Sequence, residues 1–307
     1  MRSLNSVLEV DYCDPGNPFR CLVDELPFFL EKIAHVSQHF HASAFSAVKL
    51  FLERNTFPVV PEDLPQLSFI ASLFKAAIPS VFLYIEDCFK IEDLLDYTNI
   101  ISGLKAPLVC QSDLQFLDQS SPLFFPHLKQ LDVNADSAIF IELVNALKFN
   151  STITVLDLEF GSLCADCVTS LSDALRVNSS IKTITLVGIS MGDDYSIALA
   201  DSLKVNSTIT DINLEFNSIG SEGVVILSEA LRVNSTIKAI NLGGNSVDAI
   251  GAKALADALR VNRSITRVSL GCNSIGDEGV LALANVLEDN SSISEISLVY
   301  ISLSYQV

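Results

Sequence analysis

From Ser151 onward the sequence repeats every 28 residues without a gap. The complete blocks read STITVLDLEFGSLCADCVTSLSDALRVN, SSIKTITLVGISMGDDYSIALADSLKVN, STITDINLEFNSIGSEGVVILSEALRVN, STIKAINLGGNSVDAIGAKALADALRVN and RSITRVSLGCNSIGDEGVLALANVLEDN. HLKQLDVNADSAIFIELVNALKFN precedes them with a small deletion, and SSISEISLVYISLSYQV follows and stops partway. A fixed period of this length is typical of a repeat architecture in which each block is one structural unit.

The two halves of a block differ in the spacing of their apolar residues. In the first half, residues such as Ile212 and Leu214 alternate with polar ones, which is the period of a β-strand. In the second half, Val224 and Leu227 lie at the spacing that places side chains on one face of a helix. Between the halves, the amide of an asparagine such as Asn217 is predicted to bond backbone groups where the chain leaves the sheet.

Neither half can bury its apolar side alone. Stacking the blocks places the strands in one parallel sheet and the helices outside it, so that both bury their apolar sides in a shared core. The sequence therefore predicts the α/β class and a right-handed solenoid. We expect it to curve as a horseshoe, with the sheet concave and the helices convex.

The block pattern I-x-x-I-x-L-x-x-N-x-I-G-x-E-G-x-x-x-L-x-x-A-L resembles the ribonuclease-inhibitor-like class of leucine-rich repeats, over residues 126–307. That class includes the repeat regions of NOD-like receptors and of Ran GTPase-activating proteins. The resemblance implies a protein-binding scaffold rather than an enzyme. Two alternatives stay open, a regulator of a small GTPase and a fragment of an immune-type sensor, but no functional residue of the GTPase regulators is matched here. Gly161, Ile189 and Ile301 replace the patterned asparagine, so the bend is less well fixed in those blocks.

The N-terminal third lacks the repeat period. Apolar spacing predicts helices in NPFRCLVDELPFFLEKIAHVSQHF, in SAFSAVKLFLERN with Ser43 as its N-cap, and in LPQLSFIASLFKAA. Ile78, Val81 and Leu83 then repeat the strand spacing, and KIEDLLDYTNIISGLK is predicted to be helical. A separate N-terminal effector domain is the alternative to a helical cap. The predicted divisions are a helical region or cap over 1–77, degenerate repeats over 78–125 and regular repeats over 126–307.

The last block is incomplete. After Leu298 the chain gives only VYISLSYQV, with neither a closing helix nor a polar cap. Terminal repeats normally need a polar outer face. We therefore expect either a truncated gene product or a partner that covers this end.

The charge balance bears on partners. The chain has 37 Asp and Glu residues against 19 Lys and Arg residues, a net charge of −18. Such a charge repels nucleic acid and anionic lipid and attracts basic partners, although it also keeps an apolar solenoid soluble. We predict a protein partner of basic character, and neither nucleic acid nor a membrane.

The hydrophobic content, 49% of the residues, raises the question of a membrane span. The most apolar stretch, FIASLFKAAIPSVFLYI, is interrupted by Lys75 and Pro79 and is short for a bilayer. The first residues, MRSLNSVLEVDYCDPG, lack the pattern of a signal peptide. The seven cysteines are scattered without the spacing of a disulfide framework. The expected location is therefore cytoplasmic.

N-x-S/T triplets, which accept glycans in secreted proteins, occur once in each block. All fall in one column, where a helix ends and a turn begins, and asparagine tolerates the left-handed backbone often found there. The structural interpretation is therefore favoured over glycosylation. The triplets begin at Asn150, Asn178, Asn206, Asn234, Asn262 and Asn290.

Two cysteines and two histidines stand at spacings that also occur in metal or redox sites. Cys164-Ala165-Asp166-Cys167 has the spacing of half a zinc site or of a redox pair, but no second pair follows. Its position matches the Gly220 to Gly223 turn of a later block, so a structural turn is favoured. His35 and His39 lack the H-E-x-x-H arrangement, and the chain has no G-x-x-x-x-G-K-[ST] loop. We predict no catalytic residues, no metal and no cofactor.

The candidate binding surface is the predicted concave face. It consists of the strand positions that point away from the core and of the first loop position after them. Acidic residues stand there beside aromatic ones, as in an interface with apolar anchors and a charged surround; a solvated sheet face is the alternative. The predicted binding residues are Asp157, Glu159, Phe160, Asp211, Asn213, Glu215, Phe216, Asn241, Arg267, Glu295 and Tyr300.

Overall fold

Parallel strands recur along the chain because each repeat begins with alternating apolar and polar residues. The computed structural model describes residues 6–10, 45–52, 81–85, 101–108, 114, 117, 126, 128–135, 137–159 and 164–301. The first strands are β1 Ser6–Val10, β2 Phe45–Leu52, β3 Val81–Ile85 and β4 Ile101–Leu108. The strands of the repeats are β5 Gln130–Ala135, β6 Val155–Glu159, β7 Thr183–Val187, β8 Asp211–Asn213, β9 Ala239–Asn241, β10 Arg267–Ser269 and β11 Glu295–Ser297. The helices between them are α1 Ser137–Leu147, α2 Ala165–Val177, α3 Gly192–Val205, α4 Ser221–Val233, α5 Ala249–Val261 and α6 Gly276–Asp289.

The chain divides into two compact units, residues 1–133 and 134–307. In the first unit, strands β1 to β4 pair in parallel and in chain order. Strand β3 covers part of the stretch whose spacing predicted a strand from Ile78. The predicted helices over 17–40 and 64–77, and with them the histidines, lie outside the described residues.

Two predicted helices of the first unit are wrong where the structure describes them. Phe45–Leu52 is a strand, although it was expected within the helix capped by Ser43. Ile101–Leu108 is also a strand, although a helix was expected to continue to Lys105. A short apolar run fits both the two-residue period of a strand and the 3.6-residue period of a helix. The run VKLFL is such a case. Pairing with β3 selects the strand in both cases.

In the repeats, the strands β5 to β11 form a parallel sheet in chain order, with one helix between consecutive strands. The register advances by one repeat per strand, so that Asp211 lies opposite Ala239, and Ala239 lies opposite Arg267. Consecutive helices pack against one another along the array. This confirms the predicted solenoid of alternating strands and helices.

The core lies between the sheet and the helices. In the repeat that contains β8 and α4, the side chains of Ile212, Leu214, Leu227 and Leu231 are at most 3% exposed. Burying such a side chain contributes about 1.5–3 kcal/mol. Because each repeat is covered by its neighbours on both sides, this stabilisation depends on the stacking of the repeats.

A buried asparagine ends each helix, and from Asn178 onward its side chain bonds to the preceding repeat. The Nδ2 of Asn262 donates to the carbonyl oxygens of Leu231 (2.7 Å) and Asn234 (2.8 Å). Its Oδ1 accepts from the N–H groups of Ser264 (2.8 Å) and Ile265 (2.9 Å), and from the Ser264 hydroxyl (3.0 Å). We call this series the helix-end asparagine ladder; its members are Asn178, Asn206, Asn234, Asn262 and Asn290. Asn150 makes the equivalent Oδ1 bonds to the N–H groups of Thr152 and Ile153.

The helix-end asparagine ladder confirms the structural interpretation of the N-x-S/T triplets but corrects its reason. The backbone of Asn262 is extended, with φ −70° and ψ 132°, and not left-handed as expected. The other described C-cap asparagines are extended as well. The column therefore holds asparagine because one amide satisfies backbone groups of two repeats, which no other small side chain can do.

A second ladder of buried asparagines follows the strands. The Nδ2 of Asn245 donates to the carbonyl oxygens of Leu214 (2.9 Å) and Leu242 (3.0 Å). Its Oδ1 accepts from the N–H groups of Asn217 (3.0 Å) and Ile219 (2.9 Å) in the preceding repeat. This confirms the predicted role of the amide at the bend. The strand-end asparagine ladder consists of Asn217, Asn245 and Asn273.

Carboxylates near the helix starts also join neighbouring repeats. The Oδ1 of Asp193, in the first turn of α3, accepts from the N–H groups of Gly220 (2.6 Å) and Gly223 (2.9 Å), where α4 begins. Asp248 caps its own helix α5 and accepts a hydrogen bond from the Ser221 hydroxyl of the preceding repeat. That bond, with two backbone N–H groups, lowers the pKa of the Asp248 carboxyl. Its contribution to stability is therefore present at neutral pH and is lost as the pH falls through the lowered pKa.

Candidate binding surface on the open face of the sheet

The open face is the side of strands β6 to β11 that is turned away from the helices. Side chains alternate along each strand, so that in β8 Ile212 is buried in the core while Asp211 and Asn213 are half-buried on the open face. Strand β7 shows the same alternation. The period that identified the strands thus also places their polar residues on one surface.

Polar side chains from β7 to β11 form an open groove of about 370 Å³ on this face. The strand register aligns them in two rows across the sheet. The first row is Asp211, Ala239, Arg267 and Glu295, and the second is Asn213, Asn241, Ser269 and Ser297. The groove brings together five of the residues predicted to bind: Asp211, Asn213, Asn241, Arg267 and Glu295.

An ion pair crosses the groove. The Nη2 of Arg267 lies 2.9 Å from the Oδ1 of Asp211, two strands away, and spans the small side chain of Ala239. The Thr210 hydroxyl donates to the other carboxylate oxygen (2.7 Å). The side chains of Arg267 and Asp211 are 53% and 35% exposed, so the pair contributes little to stability. The sequence analysis did not predict this pairing. Asp211 and Arg267 have opposite charges at the same position of repeats that are two apart, and this could have indicated it.

Glu215 lies at the carboxyl end of β8, beside the groove. Its Oε2 accepts a hydrogen bond from the Nδ2 of Asn241 on the next repeat (3.2 Å). The Oδ1 of Asn241 in turn accepts from the N–H group of Gly243 (2.9 Å). The Glu215 carboxylate is thus oriented along the edge of the groove while its side chain stays half-buried.

One position in the turn after each of several strands has a left-handed backbone, and two of the residues at this position are aromatic. Phe216 (φ 56°) and Tyr300 (φ 58°) have left-handed backbone, and they are 57% and 85% exposed. Gly188 and Gly244 have left-handed backbone at the equivalent positions, and Cys272 does too. A Cβ added to Gly244 would lie 2.2 Å from the Phe216 ring, so the ring covers that glycine. The sequence placed this column on the open face but carried no signal for its left-handed backbone.

The remaining predicted residues belong to the repeat of β6. Asp157 is half-buried in β6, opposite Thr185 of β7. Glu159 is described by its backbone alone, at the end of β6, and Phe160 lies outside the described residues. The assignment of all eleven residues to partner binding stays a prediction.

Metal ligands, membrane-spanning helices and cysteines are the other features that bear on function in the described part of the chain. Its ranges contain no group of three or more His, Cys, Asp or Glu residues placed to hold a metal ion. None of the helices found there combines the length and the apolar character needed to cross a bilayer. Cys164, Cys167 and Cys272 carry free thiols.

Comparison with known families identifies the repeats. The Leucine Rich repeat model matches residues 205–228, 233–256 and 261–284. Each segment begins near the end of one helix, crosses a strand and reaches into the next helix, in agreement with the structural repeat. These segments are therefore leucine-rich repeats. No curated protein matches the chain in sequence.

Comparison with solved structures supports the same fold. The leucine-rich repeat-containing protein LegL7 from Legionella pneumophila aligns over 95% of this chain and 89% of its own, with 17% identity and a TM-score of 0.59. A tropomodulin C-terminal domain from Caenorhabditis elegans aligns over 46% of this chain and 84% of its own, with 15% identity and a TM-score of 0.40. Leiomodin-1 Actin-Binding Site 2 aligns over 44% of this chain and 78% of its own, with 14% identity and a TM-score of 0.39. At these identities the similarity to LegL7 shows the fold alone.

Proposed function

We propose that this chain is a protein-interaction scaffold that binds its partner on the open face of the sheet. Phe216 and Tyr300 would act as apolar anchors, and the acidic residues of the groove would surround them. The observation that carries the proposal is two exposed aromatic side chains in left-handed backbone, in the turns that follow strands β8 and β11 of the polar groove.

The repeat does not require aromatic residues at these two positions, although the Phe216 ring covers Gly244 of the next repeat. A left-handed backbone costs a residue other than glycine about 1–3 kcal/mol, and such strain persists mainly at functional sites. Glycine occupies the same column at Gly188 and Gly244, so the fold accepts the less strained residue. Exposed aromatic surface also lowers solubility. The presence of Phe216 and Tyr300 in this column is therefore better explained by binding, in which aromatic residues are common hot spots.

The charges of the groove favour a basic partner. Arg267 pairs with Asp211 within the chain, which leaves Glu295 in the groove and Glu215 beside it as further acidic residues. Because the pair of Arg267 and Asp211 is exposed, an arginine or lysine of a partner could replace Arg267 at small cost. Association would then be faster at low ionic strength.

We also assign the repeats to the ribonuclease-inhibitor-like class. The assignment rests on the 28-residue period and on helices of 13 or 14 residues in the regular blocks. It supports a scaffold without fixing the partner, since this fold hosts many binding roles.

The first test replaces the anchor. The partner is identified by affinity capture from native cells with the unchanged chain as bait, and its binding is then measured by titration calorimetry. We expect Phe216→Gly to weaken binding at least tenfold, about 1.4 kcal/mol, because the ring is lost. The same variant should keep its stability or gain about 1 kcal/mol, because glycine relieves the left-handed strain.

Phe149→Ala is the matched control, since Phe149 is 86% exposed in the turn after α1, outside the open face. Unchanged binding by Phe216→Gly would refute the proposed anchor.

The second test concerns charge. Glu215→Gln keeps an oxygen that can accept from Asn241 but removes the negative charge, so we expect a smaller decrease of affinity with added salt. The matched control is Glu229→Gln on the exposed side of α4, which should leave the salt dependence as it is. Equal salt dependence of the two variants would argue against a basic partner on the open face.

A further inference from the structure

Two cysteines depart from the repeat pattern at the start of α2. Cys164 stands at the N-cap, where the later repeats have Gly220 and Asp248, and its thiol accepts from the N–H group of Cys167 (3.3 Å). Cys167 stands in the first turn, where the equivalent residues are Tyr195, Gly223, Gly251 and Gly279. A carboxylate is the better cap, and the other regular blocks have no cysteine in either column. Neither cysteine is therefore required by the fold of the repeat.

The geometry brings the two sulfur atoms together. The Sγ atoms of Cys164 and Cys167 lie 2.7 Å apart, with both thiols free. Cys164 is exposed, whereas Cys167 is fully buried beneath it. A disulfide between them would need only a small closing movement, because the spacing of three residues on a helical turn already places the sulfurs in contact.

The two thiols differ in reactivity. Hydrogen bonds from the Cys167 thiol, the largest cause, and from the Cys167 backbone N–H lower the pKa of Cys164. Burial raises the pKa of Cys167. The thiolate is the reactive form of cysteine, and a helix N-terminus stabilises it. Cys164 thus has the features of an attacking thiol and Cys167 those of a resolving thiol.

We propose that Cys164 and Cys167 form a redox-active dithiol that a small-molecule disulfide of the glutathione class oxidises to an intramolecular disulfide. The Cys164 thiolate attacks one sulfur of the oxidant, whose S–S bond breaks and releases one thiolate. The Cys167 thiol then loses its proton and attacks the Sγ of Cys164, and a second thiolate leaves. The protein gives up two electrons and two protons, and one disulfide oxidant becomes two thiols.

Oxidation would change a contact between helices. In the reduced form, the Cys167 thiol has one hydrogen, which it donates either to the Sγ of Cys164 or to the carbonyl oxygen of Ser137 at the start of α1 (3.6 Å). A disulfide sulfur has no hydrogen to donate, so the bond to Ser137 cannot form after oxidation. Oxidation of the two cysteines therefore removes a hydrogen bond to α1 of the preceding repeat.

The test uses the full chain and oxidised glutathione. The reduced protein is equilibrated in mixtures of reduced and oxidised glutathione, quenched with acid, alkylated with N-ethylmaleimide and digested with trypsin. Cleavage after Lys148 and Arg176 yields the peptide 149–176, which contains Cys164 and Cys167 and no other cysteine. We expect this peptide to lose the mass of two hydrogens and to take up no maleimide, while the peptide that holds Cys272 serves as internal control.

Matched variants separate the two roles. In Cys167→Ser, the glutathione adduct of Cys164 should accumulate at least tenfold above the unchanged chain, because the resolving thiol is gone. In Cys164→Ser, the buried Cys167 should remain unmodified. Cys164→Asp restores a carboxylate cap like that of Asp248 and should fold without forming the disulfide. The proposal is overturned if peptide 149–176 takes up two maleimides in mixtures in which Cys272 already carries glutathione. It is equally overturned if the adduct on Cys164 persists in the unchanged chain.

Discussion

The Asn262→Ala variant is expected to lose about 3–5 kcal/mol of unfolding free energy, the largest effect we predict for a single side chain of the repeats. The replacement leaves the carbonyl oxygens of Leu231 and Asn234 without the Nδ2 donor. It also leaves the N–H groups of Ser264 and Ile265 without the Oδ1 acceptor. Each buried polar group without a partner costs about 1–3 kcal/mol, and local relaxation lowers the sum. Urea unfolding followed by circular dichroism measures the loss.

Asn285→Ala is the matched control for this variant. It makes the same chemical change at an exposed position of α6. Its unfolding free energy should stay within about 0.5 kcal/mol of the unchanged chain, on the stabilised side, since alanine is the better helix former. If the two variants were equally stable, the helix-end asparagine ladder would have no structural role.

The Gly223→Ala variant is expected to lose about 2–3 kcal/mol, opposite in sign to the gain usual for this change in a helix. A Cβ at this position would lie 2.5 Å from the Asp193 Oδ1 and 2.8 Å from the Ser196 Oγ. Asp193 must then move, and the N–H groups of Gly220 and Gly223 lose their acceptor at the start of α4. Thermal unfolding and urea unfolding both report the loss.

A double-mutant cycle identifies the cause. Asp193→Ala alone should cost about 1 kcal/mol, the usual value of a helix cap. In that background Gly223→Ala should cost at least about 1 kcal/mol less than in the unchanged chain, because the clashing carboxylate is gone. Strict additivity of the two changes would show that the glycine is required for a reason other than Asp193.

The sequence predicted the repeats well because each block contains its own strand and helix. Ile212 and Leu227 lie at spacings that identify their elements without knowledge of any other repeat. Strand β2 was predicted wrongly because VKLFL fits either period, and only its pairing with β3 decides. A local pattern therefore predicts the element where the run fits only one period. It fails where the run fits both periods and pairing with a neighbouring strand decides between strand and helix.

The bonds between repeats lay beyond a local pattern. Asn262 was expected to be left-handed because asparagine often is so at helix ends. Its partners lie 31 and 28 residues earlier, and bonding to them holds the backbone extended. In the candidate binding surface, the alternation within strands placed Asp211 and Arg267 on the open face, but the ion pair between them needs the register of three strands. The left-handed backbone of Phe216 likewise arises from the stacking and not from the residue.

The asparagine ladders also bear on how such a gene can change in length. Each rung reaches back one block, so deleting or duplicating a whole 28-residue unit leaves every amide opposite an equivalent carbonyl. An indel of any other size would displace the rung of the block in which it falls from its partners 31 and 28 residues earlier. Unequal recombination between such units is therefore tolerated in whole multiples, and the number of repeats is free to vary between related genes while the cross-section of the array stays constant.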